Sequence, residues 1–111
     1  MLVTGAAPSD PSRAALEARW QELVGHQLPD AARPDWPVRL DHCFARILLD
    51  HATGGAWYSS IKGRPARAHA PDATLRAAIA LGEAVLAGRA DLAALNRQSL
   101  RWRGKDGAAG P

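Results

Sequence analysis

Cysteine, methionine, phenylalanine and tyrosine occur once each in this chain, lysine occurs twice, and β-branched residues are scarce. A single cysteine excludes an intrachain disulfide and any cysteine-rich metal framework, so a reducing cytoplasm is the default expectation. The shortage of β-branched residues argues against sheets. Alanine, the best helix former, supplies a large share of the 47% apolar content and argues for close-packed helices. No apolar run is long enough to span a membrane, and MLVTGAAPSDPSRAAL carries neither a basic segment nor a signal-type apolar core. The expectation is a soluble, cytoplasmic protein with no membrane partner.

Several catalytic signatures are missing as well. There is no Walker pattern, no strand followed by Gly-x-Gly-x-x-Gly, no HExxH, no CxxC and no Gly-x-Ser-x-Gly elbow. Nothing in the residue pattern therefore calls for a nucleotide, a metal or another cofactor.

What is present fits one domain, since 111 residues close a single hydrophobic core and leave little for a second. Fourteen Lys and Arg against eleven Asp and Glu give a net charge of +3. Acidic partners are allowed by that balance, not compelled. Twelve of the fourteen cations are arginine, which suits bidentate phosphate or carboxylate contacts; a GC-rich genome produces the same bias.

Apolar periodicity predicts about four helices. SDP at 9–11 supplies a cap and a first-turn proline, and Leu16, Trp20, Leu23, Val24 and Leu28 then share one face up to a stop near Pro29. The proline-rich linker PDAARPDWP follows, anchored by Trp36. In RLDHCFARILLDH, residues 39–51, Leu40, Phe44, Ile47, Leu48 and His51 form a stripe, with Thr53, Gly54 and Gly55 as the stop. Residues 56–71 hold no acidic residue and no sustained period: a turn or short 3₁₀ piece with Trp57 and Tyr58, then an irregular basic loop.

A third helix starts near Asp72, with Leu75, Ile79, Gly82 and Leu86 on one face, Gly88 at C′, and Ala78 and Gly82 allowing close approach of a neighbour. Asp91 caps a fourth helix through Leu92 and Leu95 to about Leu100. The expected fold is an all-α, compact bundle of about four helices with a proline-rich linker and an irregular central loop. It forms one domain over residues 9–103, with 1–8 disordered and 104–111 a flexible tail.

The stretch RLDHCFARILLDH gathers many catalytic residue types, and helix geometry limits what it builds alone. His42 and His51 lie nine residues apart on opposite sides of the axis and cannot share a metal; Cys43 and His51 are about 12 Å apart along it. His51 reads as a partly buried, hydrogen-bonded core histidine. His42, Arg39, Arg46 and Asp50 read as a solvated face on which Arg46 and Asp50 form an i,i+4 ion pair. Cys43 has two readings: a small buried hydrophobe, or a thiol activated by Arg39 and Arg46 that takes a histidine from elsewhere, such as His69.

The basic segments offer a different chemistry. NRQSLRWRGK carries Arg97, Arg101, Arg103 and Lys105 around Trp102 with no acid, and IKGRPAR adds Lys62, Arg64 and Arg67. Cations interleaved with an aromatic suit phosphate contacts with base stacking, while a tryptophan packed back onto the bundle explains the same pattern.

The phrases RPDWPVRLDHCFARILLDHATGGAWY, ALGEAVLAG and LNRQSLRWRGK resemble a group of short uncharacterised proteobacterial proteins, some labelled GCN5-related N-acetyltransferases. The resemblance covers most of residues 33–105. It implies acetyl transfer from acetyl-CoA on a mixed sheet with a pyrophosphate loop. The nearest stretch to that loop, Arg101 to Asp106, departs from its pattern at the last position, and no catalytic residue is carried over.

Two functional expectations follow. One is a non-enzymatic binding module that engages nucleic acid or an acidic protein surface through Lys62, Arg64, Arg67, Arg97, Arg101, Trp102, Arg103 and Lys105. The other is an enzyme, either an acetyltransferase-related transferase or a thiol enzyme using Cys43 with His69.

Overall fold

The computed structural model describes residues 9–104, with side-chain surroundings from Arg13 onward. The expected disorder of 1–8 lies outside the described residues, as does the tail from Lys105. Four helices of more than ten residues carry the fold: α1 (Ser9–Glu22), α3 (Asp41–Thr53), α5 (Asp72–Leu86) and α6 (Leu92–Trp102). Two four-residue helices, α2 (Leu28–Ala31) and α4 (Ala66–His69), join them, and the described residues contain no strand. The chain is thus an all-α bundle.

The first helix does not stop at Pro29. It widens into a π turn, Leu23–Gln27, where the Leu28 N–H donates to the Leu23 carbonyl, and resumes as α2 with Pro29 inside. Proline in a regular helix loses the bond to the carbonyl four residues back and collides with it. A wide turn just ahead changes the hydrogen-bond register and displaces that carbonyl. The apolar face runs on through the turn, leaving Leu23, Val24 and Leu28 buried.

In α3 the expected stripe holds for Phe44, Ile47 and Leu48, all buried, and fails at Leu40, which is 57% exposed. Leu40 is the extended N-cap residue, so its side chain leaves the helical phase; its carbonyl accepts from the N–H groups of Cys43 and Phe44. Trp36 of the linker packs edge-on against Phe44 at 5.9 Å and anchors the segment to the core. The stop is as expected: Gly54 has φ 79° and donates its N–H to the Asp50 carbonyl at 2.8 Å.

Close packing of α5 depends on Gly82. A Cβ there would stand 2.6 Å from Leu23 Cδ2 and 3.0 Å from Leu48 Cδ1, both on buried side chains, so α5 sits against the π turn and α3 at a spacing a larger residue obstructs. Gly88 follows the C-cap with φ 76°.

Residues 57–71 are more ordered than their sequence suggests. The 3₁₀ piece, Trp57–Ser59, is there as expected, but α4 interrupts the loop, and Ile61, Ala66 and Ala70 are buried. Arg13 bonds the Arg67 carbonyl at 2.7 Å and Asp72 at 2.6 Å, which ties α1 to α4 and to the start of α5. The Asp91 carboxylate accepts from Ala94 N–H at 3.2 Å, and α6 continues beyond Leu100 to Trp102.

Candidate functional site

Asp50 occupies the centre of the most connected polar cluster. Periodicity places it on a solvated face beside Arg46, yet its exposure is 0%. One carboxylate oxygen, Oδ2, accepts from Ser99 Oγ at 2.7 Å and from Arg103 Nε at 2.7 Å. The other, Oδ1, accepts from Arg103 Nη2 at 2.9 Å and from the Trp57 N–H at 2.9 Å. Arg46 does not pair with it through a hydrogen bond. Its guanidinium instead donates to Ser99 Oγ and Asn96 Oδ1, each at 2.7 Å.

This cluster joins α3, the 3₁₀ turn and the end of α6, which no local sequence signal connects. One cue to it is Leu49. This residue lies well around α3 from the Phe44 and Leu48 stripe and is also buried, so α3 is enclosed on more than one side and a polar residue between them needs partners. Hydrogen bonding to Asp50 raises the Arg103 pKa above the ordinary arginine value, with burial opposing it. Burial lowers the Arg46 pKa, and the Arg103 charge adds to that effect against the pull of Cys43 and Asp50.

The two chain segments that flank the cluster carry one sign of charge. Residues 51–71 and 92–104 contain no Asp or Glu, and the carboxylate between them, Asp50, is enclosed by Arg103 and Ser99. The Trp57–Ser59 turn and the end of α6 meet at Asp50, with the Arg103 guanidinium over the Tyr58 ring, which their sequence did not decide. Lys62, Arg64, Arg97 and Arg101 are exposed, and Arg97 and Arg101 stand one turn apart on α6. Arg64 lies over the Trp57 ring at 5.4 Å, and the Lys62 ammonium lies 3.5 Å from the Tyr58 carbonyl oxygen.

Two aromatic rings interrupt these cations. Tyr58 is 48% exposed and Trp102 is 37% exposed. The Arg103 guanidinium sits 5.1 Å from the Tyr58 ring centre, and Trp102 packs edge-on against His51 at 4.9 Å. His51 is held in turn through Nε2 and the Leu95 carbonyl oxygen at 2.9 Å, as expected for a hydrogen-bonded core histidine. Trp102 thus packs on the bundle with one part and faces solvent with another.

Two residues expected on the basic surface do other work. Arg103 is bound to Asp50 and closes the cluster, with its charge compensated inside the protein. Arg67, on α4, lines a cleft against Trp20 and Ala45 of the first and third helices. Lys105 lies outside the described residues.

Cys43 is part-buried, and no hydrogen bond joins it to His69, whose exposed ring lies so close over Gly63 that a Cβ there would be 2.7 Å away. Among the described residues no three of His, Cys, Asp and Glu gather as a metal site requires, and no helix is long and apolar enough to cross a membrane. No family model, curated protein or solved structure matches the chain. The mixed sheet implied by the acetyltransferase resemblance has no counterpart among the described residues.

Proposed function

We propose that this chain is a non-enzymatic binding module whose cationic face takes up a single strand of nucleic acid. The observation that carries the reading is that the segments bearing two exposed rings, Tyr58 and Trp102, and exposed cations are tied to each other through one buried carboxylate, Asp50. Phosphates meet Lys62, Arg64, Arg97 and Arg101, and bases stack on the rings. Stacking of this kind is tolerant of sequence and contributes about 1–3 kcal/mol per base. Single strands fit better than duplexes, because their bases are free to stack.

Asp50 and Arg103 act here as positioning residues. By fixing the Trp57 backbone and the end of α6 to α3, they hold the two rings and their cations on one rigid face, so less ordering is required on binding. An acetyltransferase-related role is the weaker alternative. Arg101 and Trp102 lie in the last turn of α6, and the Arg103 side chain is bound to Asp50.

The test is anisotropy of a labelled single-stranded oligonucleotide at several salt concentrations. Four engaged cations predict a slope of log K against log salt of about −2.8. The double variant Arg101→Ala, Trp102→Ala should lose most of the binding while retaining its helical circular dichroism. Salt-independent binding, or no binding at about 50 mM salt, rejects the reading. Preference for an acidic peptide over the oligonucleotide would reassign the face to a protein partner.

A further inference from the structure

We infer that a second site, in the cleft lined by Arg46 and Arg67 between α3 and α4, binds a small aromatic acid. The cleft has a volume of about 270 Å³, and its walls include Trp20, Ala45, Leu49, Trp57 and Ala66. It continues into a wider cleft of about 420 Å³ along the π turn, which shares Trp20, His42, Ala45 and Arg67 with it. Flat apolar walls beside a few polar groups are the usual make-up of a small-molecule site, and this volume suits a one- or two-ring ligand.

Charge selects the ligand's other end. No carboxylate lines the narrower cleft, whereas Arg46 and Arg67 both do. Arg67 is half-buried, and its guanidinium has no hydrogen-bonding or ionic partner among the described residues; only its backbone carbonyl is engaged, by Arg13. Arg46 also lines the cleft, with its guanidinium bonded to the neutral acceptors Ser99 and Asn96 of α6 rather than to a carboxylate. A half-buried arginine without a partner has lost part of its hydration and gains most from an anion that offers two acceptor oxygens.

The wider cleft is different in sign. Asp41 lines it, 3.5 Å from His42 Nδ1, so the ligand's anion belongs at the arginine end and its ring body lies toward Trp20 and Val24. The π turn opens this route: Gly25, within it, has no side chain and nothing within 4 Å of where a Cβ would stand. Trp20, nearly buried, reports on occupancy of either cleft.

This site is separate from the proposed strand-binding face, and one experiment distinguishes them. The full chain is titrated calorimetrically with 2-naphthoate and with the neutral 2-naphthylmethanol. Saturable binding of the acid at one site, with the alcohol at least about tenfold weaker, is the expected result. Arg67→Ala should weaken the acid by about tenfold and leave the alcohol unchanged, since the bond from Arg13 reaches only the backbone at that position. Ala45→Leu, which fills the wall common to both clefts, should weaken both compounds, with thermal unfolding confirming that each variant folds. Absence of saturable 2-naphthoate binding, equal affinity for acid and alcohol, or an unchanged Arg67→Ala variant overturns the inference. Displacement of 2-naphthoate by the oligonucleotide would also overturn it, by making the cleft part of the strand-binding face.

Discussion

Replacing Asp50 by alanine removes four accepted hydrogen bonds at once and leaves the donors of Ser99, Arg103 and Trp57 facing a small cavity. Removing one partner of a buried ion pair costs about 3–5 kcal/mol, because the remaining charge stays poorly solvated. A domain of this size has a total stability of about 5–15 kcal/mol, so the variant should lose about a fifth or more of it. Urea unfolding followed by tryptophan fluorescence measures this directly: the midpoint should fall at unchanged slope. Asp50→Asn keeps one acceptor oxygen and the volume, and should fall between wild type and Asp50→Ala.

A double-mutant cycle with Arg103→Ala isolates the pair, with a coupling of about 0.5–3 kcal/mol expected for groups in direct contact. Were Asp50→Ala to cost under about 1 kcal/mol, or the cycle to show no coupling, Asp50 would not be the tie between α3, the 3₁₀ turn and α6. The single variants also bear on function: a chain that stays folded with this tie cut should bind the oligonucleotide more weakly, because the two rings are no longer held together.

Further outcomes test the packing and the electrostatics. Leu48→Ala should cost about 2–5 kcal/mol, while Leu40→Ala, at an exposed N-cap, should stay within about 0.5 kcal/mol; equal losses in urea unfolding would contradict the assigned start of α3. Gly82→Val should destabilise by about 1–3 kcal/mol through collision with Leu23 and Leu48, and a neutral result would mean that the helices separate at little cost. The raised Arg103 pKa gives stability that is complete below the unfolded-state value and lost only as pH rises through the still higher folded one. The stability difference between wild type and Arg103→Ala should therefore stay constant from about pH 7 to 10, and a steady decline over that range would contradict it.

Local residue chemistry was enough to read the four long helices. Alanine content, the 3.6-residue stripes through Trp20, Phe44 and Leu75, the Asp91 cap and the glycine stops at Gly54 and Gly88 all act within a few residues, and each is found where its sequence places it. Pro29 misled for a local reason of another kind: a π turn relieves the clash that a proline causes in a regular helix, and the residues before it do not announce that turn. Leu40 fits the stripe by spacing alone, but spacing applies only inside the helix, and Leu40 stands at its edge.

The sequence by itself determined an all-α chain, the faces its helices would bury, and the acid-free segments that carry its cations. Only the tertiary structure decided which of those charges face outward. Asp50 and Arg103 are 53 residues apart, and so no periodicity links them; packing α6 over α3 removes Asp50 from water and most of Arg103 with it, and makes each the other's main partner. The same packing sets Arg103 over the Tyr58 ring and Trp102 against His51, and places Arg67 in a cleft beside Trp20 and Ala45. Helices follow from neighbours along the chain, whereas a buried ion pair and the surface around it depend on which helices meet.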